Sequence, residues 1–387
     1  MLNPWPNFDE EEVSLVSNVL KSGDINYLYG EEGKLFEKEF SNFIGLNHSI
    51  CFSNGTTALY AAYRAIDLES FDEIITTPRT FIGTISPAIL LGAKPVFAEV
   101  DLNSGCITCD SIAPLINDRT KAICVVHLAG WPTDIDKIAK LAKENNIYLI
   151  EDCSQAHGAF IGDNSVGSFG DISVWSFCTD KIISTGGEGG MASTNSLKLF
   201  NKLWSFKDHG KSFSKFNEVK TDNKFKYLHS DFGLNLRMTE MQSALGRYQL
   251  RNLSQTSFLR NRNAMIIISY LKEINCISFP LPNSENKHGF YKLYGYLKFK
   301  FIKQNWDRER IIKEIQNRGF PCYVGSCSEI YLEECFQKKG YSPKKRLKNA
   351  KELGETSLMF LVHQTISETQ IHNYALTIKN VLLSSCI

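Results

Sequence analysis

Short apolar runs alternate with longer stretches of mixed polarity through the first 240 or so residues. Ser49, Ile50, Cys51 and Phe52 form a strand-sized run, followed by the loop Asn54-Gly55-Thr56 and a helical stretch over 57–65. Strand-sized runs recur at 74–77, 94–99, 122–127 and 147–150, and 171–177 alternates in strand fashion. Helical spacing occupies 81–91 and 135–143. Runs that are apolar throughout suit strands covered on both faces. Strands alternating with helices predict an α/β fold with a mainly parallel sheet between helical layers.

The pattern changes after about Arg237. A long helical segment over 238–253 carries apolar Met241, Leu245 and Tyr248, and another helical stretch covers 265–271. Strand candidates follow at 291–299 and 320–324, with a helix over 308–318 between them. This divides the chain into a large α/β domain over 1–250 and a smaller α+β domain over 251–387. No Pro/Gly-rich linker marks the boundary.

With 387 residues, 43% of them hydrophobic, the chain can bury a core and form more than one domain. Lys plus Arg numbers 43 and Asp plus Glu 42, so no basic excess argues for nucleic acid. Residues 1–9 lack a basic region followed by an apolar run, and no apolar stretch nears the roughly 20 residues of a membrane span. A soluble, cytosolic protein is expected. In that compartment the eleven cysteines read mostly as small buried hydrophobes. Cys106 and Cys109 form a C-x-x-C beside the turn residues Asn103, Ser104 and Gly105. No second pair follows at ligand spacing, so neither a zinc nor a redox site is expected.

Ligands of open α/β sheets bind beyond the carboxyl ends of strands, and three loops there hold candidate chemistry. Ser53-Asn54-Gly55-Thr56-Thr57 leaves a strand and opens a helix, whose free N–H groups and positive dipole end suit a phosphate. The alternative is an ordinary N-cap with a turn glycine. Glu151-Asp152-Cys153-Ser154-Gln155-Ala156-His157 ends a buried strand, where a carboxylate needs a partner such as a protonated ring nitrogen. Asp152 could instead cap the next helix or pair with an arginine, and His157 reads as a satisfied structural histidine. Ser176-Phe177-Cys178-Thr179-Asp180-Lys181 precedes Gly186-Gly187-Glu188-Gly189-Gly190. A partly desolvated lysine there can act as an amine nucleophile, whereas the commonest lysine is simply solvated. No G-x-G-x-x-G or Walker loop is present. Phosphate loop, carboxylate and lysine together are the set that pyridoxal phosphate requires.

These motifs, with Thr77-Pro78-Arg79-Thr80-Phe81 and Asn235-Leu236-Arg237-Met238-Thr239-Glu240, resemble the DegT/DnrJ/EryC1/StrS sugar aminotransferases over nearly the whole chain. The resemblance implies the fold type I architecture and pyridoxal phosphate as cofactor. It implies that Gly55, Thr56 and Ser176 bind the phosphate, Phe81 stacks on the ring, and Asp152 pairs with the ring nitrogen. Gln155 would contact the ring oxygen, and Lys181 would be the Schiff-base lysine. Asn235 would reach the phosphate of a neighbouring subunit, making a homodimer with shared sites. Arg237, a weaker candidate, would bind the donor carboxylate or form a structural ion pair, the second slightly favoured. His209 and His363 are further substrate candidates. One departure is the extra glycine in Ser184-Thr185-Gly186-Gly187-Glu188-Gly189-Gly190, where many relatives have one fewer.

The implied activity is transfer of an amino group from an amino acid, expected to be L-glutamate, to a keto-sugar on a nucleotide diphosphate, for amino-sugar or surface-polysaccharide synthesis. One rival is the sugar dehydration of a branch of this family that replaces the lysine with histidine, and Lys181 argues against it. Another is a non-catalytic binding protein, which a missing lysine or aspartate would mark; both residues are present.

Overall fold

The computed structural model describes residues 2–218 and 226–387. Seven strands build one sheet: β1 (His48–Phe52), β2 (Glu73–Thr76), β3 (Lys94–Phe97), β4 (Thr120–Val126), β5 (Tyr148–Asp152), β6 (Ile172–Ser176) and β7 (Gly190–Thr194). Their order is β1-β7-β6-β5-β4-β2-β3. β7 runs antiparallel to both β1 and β6, and the other neighbours are parallel.

The continuous apolar runs are explained by helices on both faces. Successive strand residues point to opposite sides. Ile74, Cys124, Ile150 and Val174 enter one core with Leu59 and Leu203. Their neighbours Ile75, Ile123 and Leu149 enter the opposite core with Ile138, and Trp175 packs there with Phe36 and Phe40. The helices Gly55–Ala65 and Leu197–Lys207 cover the first face, and Gly55–Ala65 contacts β6 and β7 directly.

A second, three-stranded antiparallel sheet has Leu293–Leu297 between Ile277–Ser278 and Ser357–Phe360. The helices Leu253–Leu271, Arg308–Asn317 and Glu368–Ser385 share its core through Leu271, Ile315, Phe360 and Ile378. The stretch 265–271 is thus the last part of a longer helix. Of the eleven cysteines, Cys276 and Cys386 are joined in a disulfide, while Cys51, Cys106, Cys124, Cys153 and Cys322 are free and buried.

Two expectations of the sequence fail. The segment 320–324 forms no strand; Tyr323 alone bridges Met359. Pro321 has no N–H for a ladder, and Gly319 and Gly325 on either side take left-handed φ of +83° and +97°. The single helix over 81–91 is instead a short turn, Ile82–Thr84, and a separate helix, Ser86–Leu90, with Pro87 in its first turn, where a missing N–H does no harm. No described helix is long and apolar enough to cross a membrane.

Candidate active site

β1, β5 and β6 point the same way, so the loops after Phe52, Asp152 and Ser176 lie along one edge of the sheet. At the first, Asn54 caps the helix Gly55–Ala65 by accepting the Thr57 N–H at 2.9 Å, while Thr57 Oγ1 accepts the Asn54 N–H at 3.2 Å. This fixes the helix start and leaves first-turn N–H groups without intrahelical acceptors. A Cβ on Gly55 would lie 2.8 Å from Ser176 Cβ, and one on Gly190 would lie 2.4 Å from the Asn54 carbonyl. Both positions therefore need glycine for the helix start, β7 and the Ser176 hydroxyl to meet. Thr56 is exposed. Its Oγ1 lies beside Phe81 across Gly83, where a Cβ would be 3.2 Å from Thr56 Oγ1 and 3.0 Å from the Phe81 ring. Phe81 leaves 68% of its surface exposed.

Asp152 ends β5 and is 4% exposed. Oδ2 accepts from Thr84 Oγ1 at 2.8 Å and Oδ1 from the Ser154 N–H at 3.1 Å. Thr84 also bonds Thr80 Oγ1 at 2.8 Å, and its N–H donates to the Phe81 carbonyl, which ties the carboxylate to the aromatic. Among the described residues no cation pairs with Asp152. Each carboxylate oxygen can accept twice, so a buried anion here retains acceptor capacity. Gln155 Oε1 accepts the Ala129 N–H at 2.7 Å. The neighbouring Glu151 faces away and is satisfied: it accepts N–H bonds from Gly167, Phe169 and Gly170 and meets His127 Nε2 at 2.9 Å.

Lys181 follows β6 in a turn closed by its own N–H on the Cys178 carbonyl. The added glycine is accommodated there: Gly186 and Gly187 have φ of +81° and +129°, and the Gly187 carbonyl accepts the Thr179 N–H at 2.9 Å. The Lys181 side chain is 16% exposed, with Nζ 3.8 Å from Asp180 Oδ1 and 3.5 Å from the Tyr291 hydroxyl. The Trp5 indole N–H donates to the Lys181 carbonyl at 2.8 Å.

Other sequence candidates fall in two places. His363 is buried near Arg260 and Lys292; burial, reinforced by those two cations, pushes its ring down to about 3. Arg237 pairs with buried Asp208 at 2.8 Å. His209 and Asn235 are exposed on two segments bridged between Asp208 and Asn235, and the second joins the first loop through the Ser53 N–H on the Leu236 carbonyl at 2.8 Å. His157, read from the sequence as a satisfied histidine, has both ring nitrogens buried without a hydrogen-bond partner among the described residues. It packs between Trp175 and Phe177, and burial, with Lys181 and Arg260 adding, holds it down to about 3. The sequence reading missed Thr84, Asp180, Tyr291, Arg260 and Lys292. Asp180 alone had a local signal, as the residue before the lysine.

The donor set fits pyridoxal phosphate: a helix start with a serine hydroxyl for the dianion, an exposed aromatic beside it, a buried carboxylate without a cation, and a part-buried amine on the same edge.

Comparison with known proteins agrees. The pattern of the DegT/DnrJ/EryC1/StrS aminotransferase family matches residues 6–378. The crystal structure of an aminotransferase from Psychrobacter cryohalolentis superposes with a TM-score of 0.97 at 45% identity, covering 100% of both chains. The dTDP-3-amino-3,6-dideoxy-alpha-D-galactopyranose transaminase of Aneurinibacillus thermoaerophilus is 31% identical over 85% of this chain and 86% of its own. The GDP-perosamine synthase of Vibrio cholerae is 34% identical over 65% of each chain.

Proposed function

This chain belongs to the DegT/DnrJ/EryC1/StrS aminotransferase family, whose cofactor is pyridoxal phosphate, and from that premise we propose that it aminates a keto-sugar carried on a nucleoside diphosphate, with L-glutamate as donor. The sugar-nucleotide part draws on relatives named for dTDP- and GDP-linked sugars. The residue roles rest on the geometry, above all on Asp152: a carboxylate buried at a strand end with no cation beside it suits a protonated ring nitrogen.

Bound cofactor supplies an electron sink for the carbanion formed at the donor's α-carbon. Gly55 and Thr56, at a positive helix end, and the Ser176 hydroxyl hold the phosphate dianion. Phe81 covers the ring. Asp152 keeps the ring nitrogen protonated, Thr84 and the Ser154 N–H fix its carboxylate, and Gln155 orients the ring oxygen. Lys181 anchors the cofactor at rest. With the donor bound, Lys181 Nζ would be the group that moves the proton at the donor's α-carbon, as a partly buried amine can. The sugar half-reaction reverses these moves in the same site. Asn235 serves the partner's phosphate in a homodimer, and Arg237 steadies its segment through Asp208. His363, beside Arg260 and Lys292, would contact substrate, and His209 would do so only across the dimer.

The purified protein loaded with pyridoxal phosphate is expected to show a visible band that L-glutamate bleaches and a keto-sugar nucleotide restores, with an amino-sugar product by mass spectrometry. A band indifferent to every amino acid would contradict transamination.

A further inference from the structure

Tyr291 lies 110 positions from Lys181, yet it is the centre of the lysine's surroundings. Its hydroxyl donates to Asp180 Oδ2, and Lys181 Nζ lies 3.5 Å from the hydroxyl oxygen and 4.8 Å from the ring centroid. Lys292 Nζ lies 4.7 Å from the same centroid. Buried Arg260 holds the backbone beneath: Nη1 donates to the carbonyls of Phe290 at 3.3 Å and Tyr291 at 3.2 Å, and Nε donates to Gln364 Oε1 at 2.9 Å. The tyrosine is thus fixed from behind, with its hydroxyl between a carboxylate and an amine.

An amine that attacks must shed its proton, and here a carboxylate stands 3.8 Å from the nitrogen. Hydrogen bonding to the carboxylate draws off part of its charge. We propose that Asp180 and Tyr291 are a positioning pair for Lys181: the carboxylate holds the nitrogen in place, and the tyrosine hydroxyl, by donating to that carboxylate, moderates its pull. This rests on Lys181 being the cofactor lysine. No proton leaves Tyr291, because burial and then Asp180 push its hydroxyl up, away from ionisation. Burial pushes Asp180 up, but Lys181, the Tyr291 hydroxyl and Lys292 outweigh it and hold the carboxyl below its ordinary value.

The other charged or titratable groups facing the pair or its lysine are Lys292, Arg260, His157, Cys178 and Tyr294, with His363 beyond Lys292 and Arg260. His157 and His363, both at about 3, stay neutral at ordinary pH. Burial, opposed by Asp180 and aided by Arg260 and Lys181, pushes Lys292 down to about 8. The test therefore includes Lys292→Met, to separate its titration from that of Lys181.

The experiment follows the visible band of the loaded protein from about pH 5 to 10 in the wild type, Asp180→Asn and Tyr291→Phe. Asp180→Asn should lower the midpoint at which the Lys181 nitrogen loses its proton by about 0.5–1 unit. That is the low end of a nearby carboxylate's effect, because Asp180 is half exposed. Tyr291→Phe should raise it by about 0.3–0.5 unit, and in the Asp180→Asn background it should do nothing. A purely structural role would move both single variants the same way. If a variant fails to retain the cofactor, the pH dependence of Lys181 acetylation by acetic anhydride in the cofactor-free protein, read by peptide mass, gives the same two signs. Shifts of equal sign, or no shift in either variant, overturn the pair while leaving the aminotransferase reading intact. A wild-type band carried by another lysine overturns both.

Discussion

The floor of the site and the wall over Lys181 are built in different ways. The floor uses loops at the carboxyl ends of strands of one sheet, and its polar groups are bonded: Asn54 with Thr57, and Asp152 with Ser154 two residues on and with Thr84, which follows β2. The wall draws on Trp5, His157, Arg260, Tyr291 and Lys292, and it leaves His157 and one Arg260 nitrogen without partners. Its two histidines, His157 and His363, are held far from their ordinary range. A floor of this kind suits a fixed anion and a fixed ring. A wall crowded with amines and neutral imidazoles suits a nitrogen that changes charge during turnover.

The largest expected effect lies where the two regions meet. Lys181→Ala should abolish turnover, losing at least the ~10²–10⁴-fold that a positioned proton carrier contributes, while circular dichroism stays native. Mixing it with Asn235→Asp, chosen to repel phosphate, should restore activity if the floor is completed by a partner chain. Random exchange gives one intact site per mixed dimer, and so about a quarter of wild-type activity for a two-fold assembly. An active monomer by sedimentation, or no recovery after exchange, would confine the site to one chain.

Within the floor, Asp152→Asn should cut kcat by roughly 10–1000-fold, the equivalent of losing one to three pKa units of support for the protonated ring. Cofactor affinity should change little, because the phosphate contacts remain. Near-normal turnover with saturating cofactor would remove Asp152 from the chemistry.

The smallest effect belongs to the wall and is one of stability. His157 and His363 have folded values of about 3, below the ordinary 6.5. The unfolded chain therefore takes up protons first as pH falls, so stability is full above about 6.5 and declines towards 3. Each histidine should remove up to ~2 kcal/mol between pH 6.5 and 5. Urea midpoints at pH 7 and 5 should diverge less in His157→Phe than in the wild type. Equal divergence would show that His157 is not held neutral.

The same contrast governs how much was legible in the sequence. The floor was, because its signals are local: a cap three residues from its partner, an apolar run ending in Asp152, a lysine after an alternating strand. Tyr291 and Arg260 carried no such signal, since nothing near them in the chain shows that they meet Lys181. β7 escaped notice for another reason. Gly190, Ala192 and Ser193 have the small side chains that a tight place between β1 and β6 allows, and small residues do not read as a strand. The segment 320–324 erred the opposite way, apolar enough for a strand but interrupted by Pro321. Arg237 was placed by its neighbour Asp208, which sequence spacing alone could not establish.

Whether Lys181 carries the cofactor is decided by borohydride reduction of the loaded protein followed by peptide mapping. The reduced pyridoxyl group should be found on Lys181. Lys292, held at about 8 beside the same tyrosine ring, is the competing amine. A label on Lys292, or on any lysine other than Lys181, would contradict the account.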